Sequence, residues 1–200
     1  MTRRLVYSAG FWVFLAATAL TIASIIEPRW ISWDRKTTRG DPIHDSYGLH
    51  RRCSSLTGVC TEFPRFEDCT GDQRHFCSAW RSVGFLMSFS VVLELSCVIA
   101  FAVILLGGRQ KREVGWKVLG WLLGLASVAQ LISMAVAAFL YDHDDKFPTG
   151  WKLDVSWILC TVSWCILALD AAFIIISALI LPSEGDYELI PDRPVQPPGA

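Results

Sequence analysis

Four cysteines at positions 53, 60, 69 and 77, and three polar residues set in apolar sequence, Glu94, Gln130 and Asp170, are the side chains whose types and spacing could do chemistry. The cysteines fall in one polar stretch, whereas Cys97, Cys160 and Cys165 lie in apolar runs. Clustered thiols in a polar stretch point to disulfides formed on an oxidising side. Four cysteines allow three pairings, of which joining neighbours, Cys53 with Cys60 and Cys69 with Cys77, is the preferred one. The first of these closes a short loop for an entropic benefit of about 2.5 kcal/mol in the chain-entropy model. A zinc site using these thiols with His44, His50 or His75 lacks the C-x-x-C or H-x-x-x-H spacing that zinc ligands take, so no metal and no cofactor is expected.

Glu94, Gln130 and Asp170 fall near the middle of apolar runs long enough to cross a bilayer. An exposed carboxylate at that depth costs about 2.5–3.5 kcal/mol on insertion scales, so these groups should face inward and find partners. The expectation is one buried polar layer of Glu94, Gln130 and Asp170, with Thr18 a candidate fourth member, in which one carboxyl keeps its proton and donates a hydrogen bond. A proton or ion relay would need a continuing series of polar groups. None follows, which favours a structural clasp. Catalysis would need a nucleophile with its base, or a metal cluster, at one depth; Glu94 and Asp170 have no histidine beside them within the spans, so no catalytic residue is assigned.

The elements that must position these groups are membrane spans. Of the 200 residues 52% are hydrophobic and 18% charged, with a mean hydropathy of +0.40, the composition of a membrane protein. The net charge of -1 leaves no basic face for nucleic acid, and no small-molecule substrate is evident. Apolar runs at about 5–26, 83–106, 118–141 and 155–181 predict four helices in a single domain over 1–200. Loops at 27–82 and 142–154 and a Pro-rich tail at 182–200 complete it. The first run exceeds a signal-peptide core and is expected to be retained. Arg3 and Arg4, then Arg109, Lys111, Arg112 and Lys117, place both termini in the cytosol by the positive-inside rule, with the two loops outside. The sequence has no Asn, so N-glycosylation is excluded. Tyr187 to Ile190 has the form of a weak tyrosine-based sorting signal.

Within the long loop, strands are expected at 28–33, 46–53 and about 59–63, with Gly40, Asp41 and Pro42 marking a turn. Gly120 and Gly124 allow close backbone approach, read as packing within the bundle in preference to a dimer patch. Asp142, His143, Asp144 and Asp145 gather oxygen ligands but lack the glycine and distal glutamate of a calcium loop, and read as a solvated acidic turn. Phe147 and Trp151 suggest either an aromatic rim for a partner or an interfacial anchor.

Trp30, then Gly48-Leu49-His50, then Cys53 and Cys60, with Arg81 before the second helix, resemble the claudin superfamily signature of Trp, Gly-Leu-Trp, two cysteines and an arginine. His50 stands where tight-junction members carry Trp, Cys69 and Cys77 are an extra pair, and the end Pro197 to Ala200 is not a PDZ ligand. The chain therefore looks closer to fungal claudin-like plasma-membrane proteins than to tight-junction claudins. The resemblance implies an all-α membrane protein: a left-handed four-helix bundle carrying a small antiparallel sheet pinned by Cys53 and Cys60, seated on the membrane by Trp30, Gly48 and Leu49. It also implies a non-enzymatic plasma-membrane organiser of lateral or cell-surface assemblies, with membrane lipids, other membrane proteins or itself as partners. The alternative is an auxiliary or regulatory subunit of an ion channel or of a cell-surface stress or signalling complex.

Overall fold

The computed structural model describes residues 2–36, 42–65, 67–70, 74–144, 146–147 and 149–181. Four long helices, α1 (Thr2–Ile26), α2 (Arg74–Leu106), α3 (Arg109–His143) and α4 (Val155–Ile180), are each long and apolar enough to cross a membrane. They form an all-α four-span bundle capped by a small sheet. Each helix packs on the next, and α4 closes the ring against α1.

The helices outrun the apolar segments that announce them. Of these, α2 starts at Arg74 and not near 83, and α3 starts at Arg109 and not near 118. Hydropathy marks the stretch that lies in hydrocarbon, whereas the backbone ladder propagates through polar residues as long as one face stays packed. Phe76, Cys77 and Trp80, in the extra turns of α2, are buried under the sheet. The α2–α3 elbow is Gly107-Gly108; a Cβ on Gly107 would stand 2.3 Å from the Val103 carbonyl, so only glycine fits.

The sheet has five antiparallel strands: β1 (Ile31–Lys36), β2 (Pro42–Tyr47), β3 (Arg51–Ser54), β4 (Val59–Glu62) and β5 (Trp151–Leu153), in the order β4-β3-β2-β1-β5. Three stretches differ from expectation. The first strand runs Ile31–Lys36 and not 28–33, because Arg29 and Trp30 form the elbow that bonds the start of α4. The stretch 46–53 is not one strand, because the chain turns at Gly48-Leu49-His50, where Gly48 N donates to Arg51 O at 2.7 Å. A Cβ at Gly48 would meet Pro28 Cα at 2.6 Å, so this turn needs glycine to lie against the α1–β1 elbow. Strand β5, from the second loop, adds to the edge of β1 with Trp33 opposite Trp151. Three residues are too few to show a period in sequence. Pro42 of the expected turn is the first residue of β2, while Gly40 and Asp41 lie outside the described residues, as do Asp145 and the tail with Tyr187.

The sheet is fastened to the bundle through Trp30. Its side chain is fully buried and its indole N–H donates to Ser24 O of α1 at 2.8 Å. Around the same elbow, Asp154 N donates to Trp30 O, Ser156 N to Arg29 O and Ser156 Oγ to Glu27 O, joining the start of α4 to the end of α1. Asp154 caps α4, its carboxylate accepting from Val155 N at 2.8 Å.

Candidate functional site

Thr21 on α1, Ser90 and Glu94 on α2, Gln130 on α3 and Ser163 on α4 meet in the interior. Each side chain is buried because each helix presents a serine, threonine or longer polar residue on the stripe that otherwise carries the core. Glu94 Oε1 accepts from Gln130 Nε2 at 2.6 Å, Thr21 Oγ1 at 2.9 Å and Ser90 Oγ at 3.3 Å. Gln130 Nε2 also reaches Thr21 Oγ1 and Ser90 Oγ, both at 2.9 Å. Thr21 and Ser163 hydroxyls share a bond of 2.7 Å, and Ser163 Oγ donates to Ala17 O. One carboxylate oxygen thus gathers donors from three helices, and the threonine passes the network to the fourth.

The layer divides the core. On the sheet side lies a cluster including Trp30, Trp80, Met87 and Cys160; on the far side lies another including Phe14, Cys97, Phe101 and Leu167. Apolar packing above and below leaves the polar groups as a transverse clasp among the described residues.

Asp170 is a correction. It is buried, 3% exposed, but among the described residues it makes no hydrogen bond to Glu94 or Gln130, and its Oδ2 has no partner. It lies two turns beyond Ser163 on α4, about 10 Å further along by the helical rise, opposite Gly10 of α1. Midplane counting placed it with Glu94, but the clasp forms nearer the sheet end of α4. Thr18 lies beside the Glu94 carboxyl without a direct hydrogen bond of its own among the described residues, and Thr21, nearly one turn along, supplies the direct contact. Thr21, Ser90 and Ser163 were missed because short hydroxyl residues are common in spans and carry no hydropathy signal; their spacing to Glu94 and Gln130 becomes visible only once the helices are aligned.

At the sheet end the structure pairs Cys53 with Cys60, directly opposite in the β3–β4 ladder, and Cys69 with Cys77. Leu49 is buried in the sheet-side core, and the His50 ring lies on α2, where a Cβ at Gly84 would come within 3.2 Å of its Cε1. Arg81 is exposed on α2, with Nη2 3.9 Å from Cys69 Sγ. Gly120 packs toward α4, where its Cβ would meet Ile175 at 3.1 Å; Gly124 has open space beside it.

Phe147 and Trp151 do not form an exposed rim. Phe147 is 7% exposed and its ring packs with Tyr47, Phe76 and Trp151 at centroid distances of 5.6–5.8 Å. This cluster clamps the second loop onto the sheet, and Lys146 lies over the Phe76 ring at 4.3 Å. Burial pushes the Lys146 ammonium down from its usual range and the Tyr47 phenol up. In the acidic turn, His143 pairs with Asp142 at 3.5 Å and Asp144 Oδ1 accepts from Lys146 N at 3.0 Å.

The outward edge of the sheet carries charge. Asp34 on β1 bonds Lys152 of β5 and His44 of β2, each at 2.6 Å, linking three strands. The Lys152 ammonium, then His44, hold the Asp34 carboxyl below the usual carboxylate range.

The sequence profile of the lipoma HMGIC fusion partner-like protein family matches residues 9–163, from the first span through the disulfide-braced loop to Ser163 of the clasp. The chain belongs to that family. It is a four-span membrane family, which agrees with the bundle described above. No curated protein matches the chain. The matched segment contains every residue of the clasp and both disulfides, and ends before Asp170.

Proposed function

We propose that this family member is a non-enzymatic organiser of lateral or cell-surface assemblies in the plasma membrane, with both termini cytosolic and the braced sheet outside. The observation that carries the reading is the rigid mounting of the sheet. Trp30 anchors it to α1, Asp154 and Ser156 tie it to α4, aromatic packing holds the second loop against it, and two disulfides close its connections. A preformed surface loses little conformational entropy on binding, so such a cap suits recognition of other membrane proteins or of a second copy. Packed apolar clusters on both sides of the Glu94–Gln130 clasp favour a structural role for the bundle. The resemblance of Trp30, Gly48, Leu49, Cys53, Cys60 and Arg81 to the claudin signature supports the same reading.

Localising a tagged chain with and without Cys53→Ser and Cys60→Ser tests it. The organiser reading expects clustering at the cell edge to be lost with export preserved, and self-association after capture in mild detergent. Clustering that persists with both cysteines replaced, or capture of a stoichiometric channel partner in place of self-association, contradicts it.

A further inference from the structure

The exposed face of α2 changes character along its length. Arg74, Ser78, Arg81 and Ser82 occupy its sheet end, and Phe85, Phe89 and Val92 continue the same face. These positions follow one another at helical spacing and form a single stripe. At the polar end an open groove of about 760 Å³ is lined by Arg74, His75, Ser78, Arg81, Ser82 and Phe85, with the Cys69–Cys77 bridge as its wall. Below it, the Phe85 and Phe89 rings lie parallel, 6.3 Å apart and 70% and 44% exposed.

The depth of the groove tells what can reach it. About 20 residues of α2 cross a hydrocarbon core of about 30 Å, and counting back from Leu106 puts its edge near Met87. Phe85 then sits at the boundary, and Arg81 about 6 Å further out, in the headgroup zone. Among the described residues neither Arg74 nor Arg81 has an ion-pair partner. Arg81 Nη2 stands 3.9 Å from Cys69 Sγ at the wall of the groove.

We propose that this groove binds one phospholipid of the sheet-side leaflet. Arg81, with Arg74 beside it, takes the phosphodiester, and an acyl chain lies along Phe85 and Phe89. A guanidinium fork matches phosphate oxygens, and the apolar stripe beginning one helical turn beyond it matches the chain that hangs from the same phosphate. A soluble anion would use only the upper half of this surface, and an uncharged lipid only the lower half. The site is independent of the organiser reading, since it needs neither clustering nor a protein partner.

The test is native mass spectrometry of the full chain from detergent, titrated with phosphatidylglycerol, with diacylglycerol of the same chains, or with glycerol 3-phosphate. Phosphatidylglycerol is expected to be retained and the other two not. Arg81→Gln should weaken retention about tenfold, the worth of one charge-assisted hydrogen bond, and Phe85→Ala should weaken it as well. Lys111→Gln, on the far side of the bundle, should leave it unchanged. Both replaced α2 side chains are exposed, so the variants keep the fold, checked by their melting profile. The proposal is overturned if phosphatidylglycerol is not retained by the parent, if Arg81→Gln and Phe85→Ala retain it as the parent does, if Lys111→Gln alone loses it, or if diacylglycerol or glycerol 3-phosphate binds equally well.

Discussion

Glu94 and Asp170 are both buried carboxyl residues in apolar helices, yet they bear different loads. Glu94 Oε1 takes three donors, so Glu94→Ala leaves the Ser90 hydroxyl without its acceptor and removes one bond each from Gln130 and Thr21, which keep their bonds to each other and to Ser90 and Ser163. Losing a buried acceptor costs about 1–3 kcal/mol for each group left unpaired, and the melting temperature in detergent should fall accordingly. Glu94→Gln keeps an accepting oxygen and should stay within about 1 kcal/mol of the parent. Asp170→Asn touches no hydrogen bond of the clasp and should also melt like the parent. A loss with Asp170→Asn equal to that with Glu94→Ala would return Asp170 to the network. Outside the membrane, Asp34 gives a pH dependence of known sign. Its carboxyl is held low in the folded chain, so the stability it adds is whole above the ordinary carboxylate range and is lost as pH falls through the lowered value. Hydrogen exchange in β1 and β5 should quicken on acidification through that range, and Asp34→Asn should flatten the response. These pairings were hidden in the sequence because Asp34, His44 and Lys152 come from three strands, one of them more than a hundred residues away.

Among the elements, the spans were legible from hydropathy and the sheet only in part. Leu5 to Ile26 and its three successors contain enough consecutive apolar residues that no tertiary contact was needed to recognise them. Their ends were not legible, since Arg74 and His75 are exposed and polar while Phe76 and Trp80 on the same turns are buried by a sheet formed elsewhere in the chain. The Gly48 turn carried a readable glycine, but its reason, the Pro28 backbone 2.6 Å from where a Cβ would stand, is a contact between elements. Gly48→Ala is therefore expected to push β2 and β3 off the α1 elbow, whereas Gly124→Ala, with open space around it, should not matter. Melting both variants checks this: a Gly48→Ala chain as stable as the parent would mean that the elbow can move aside.

For the whole molecule, the polar clasp and the Trp30 anchor divide the work. The clasp joins four helices across a plane of low dielectric, where each hydrogen bond lacks competition from water. The anchor transmits that rigidity to the sheet, so that five strands of three to six residues hold one arrangement on the bundle. Four spans, with the sheet built from the connections after the first and the third, put the beginning of α1 and the end of α4 together on the side away from the disulfides. In the intact membrane this arrangement has one direct consequence. With an amino-terminal tag on the chain in sealed cells, an impermeant thiol reagent should leave the loop cysteines unlabelled until an impermeant reductant opens them. Cys53, Cys60, Cys69 and Cys77 should then label while the tag stays protected from external protease. Loop thiols that label without reduction, or a tag cut from the same side on which the cysteines react, would contradict it.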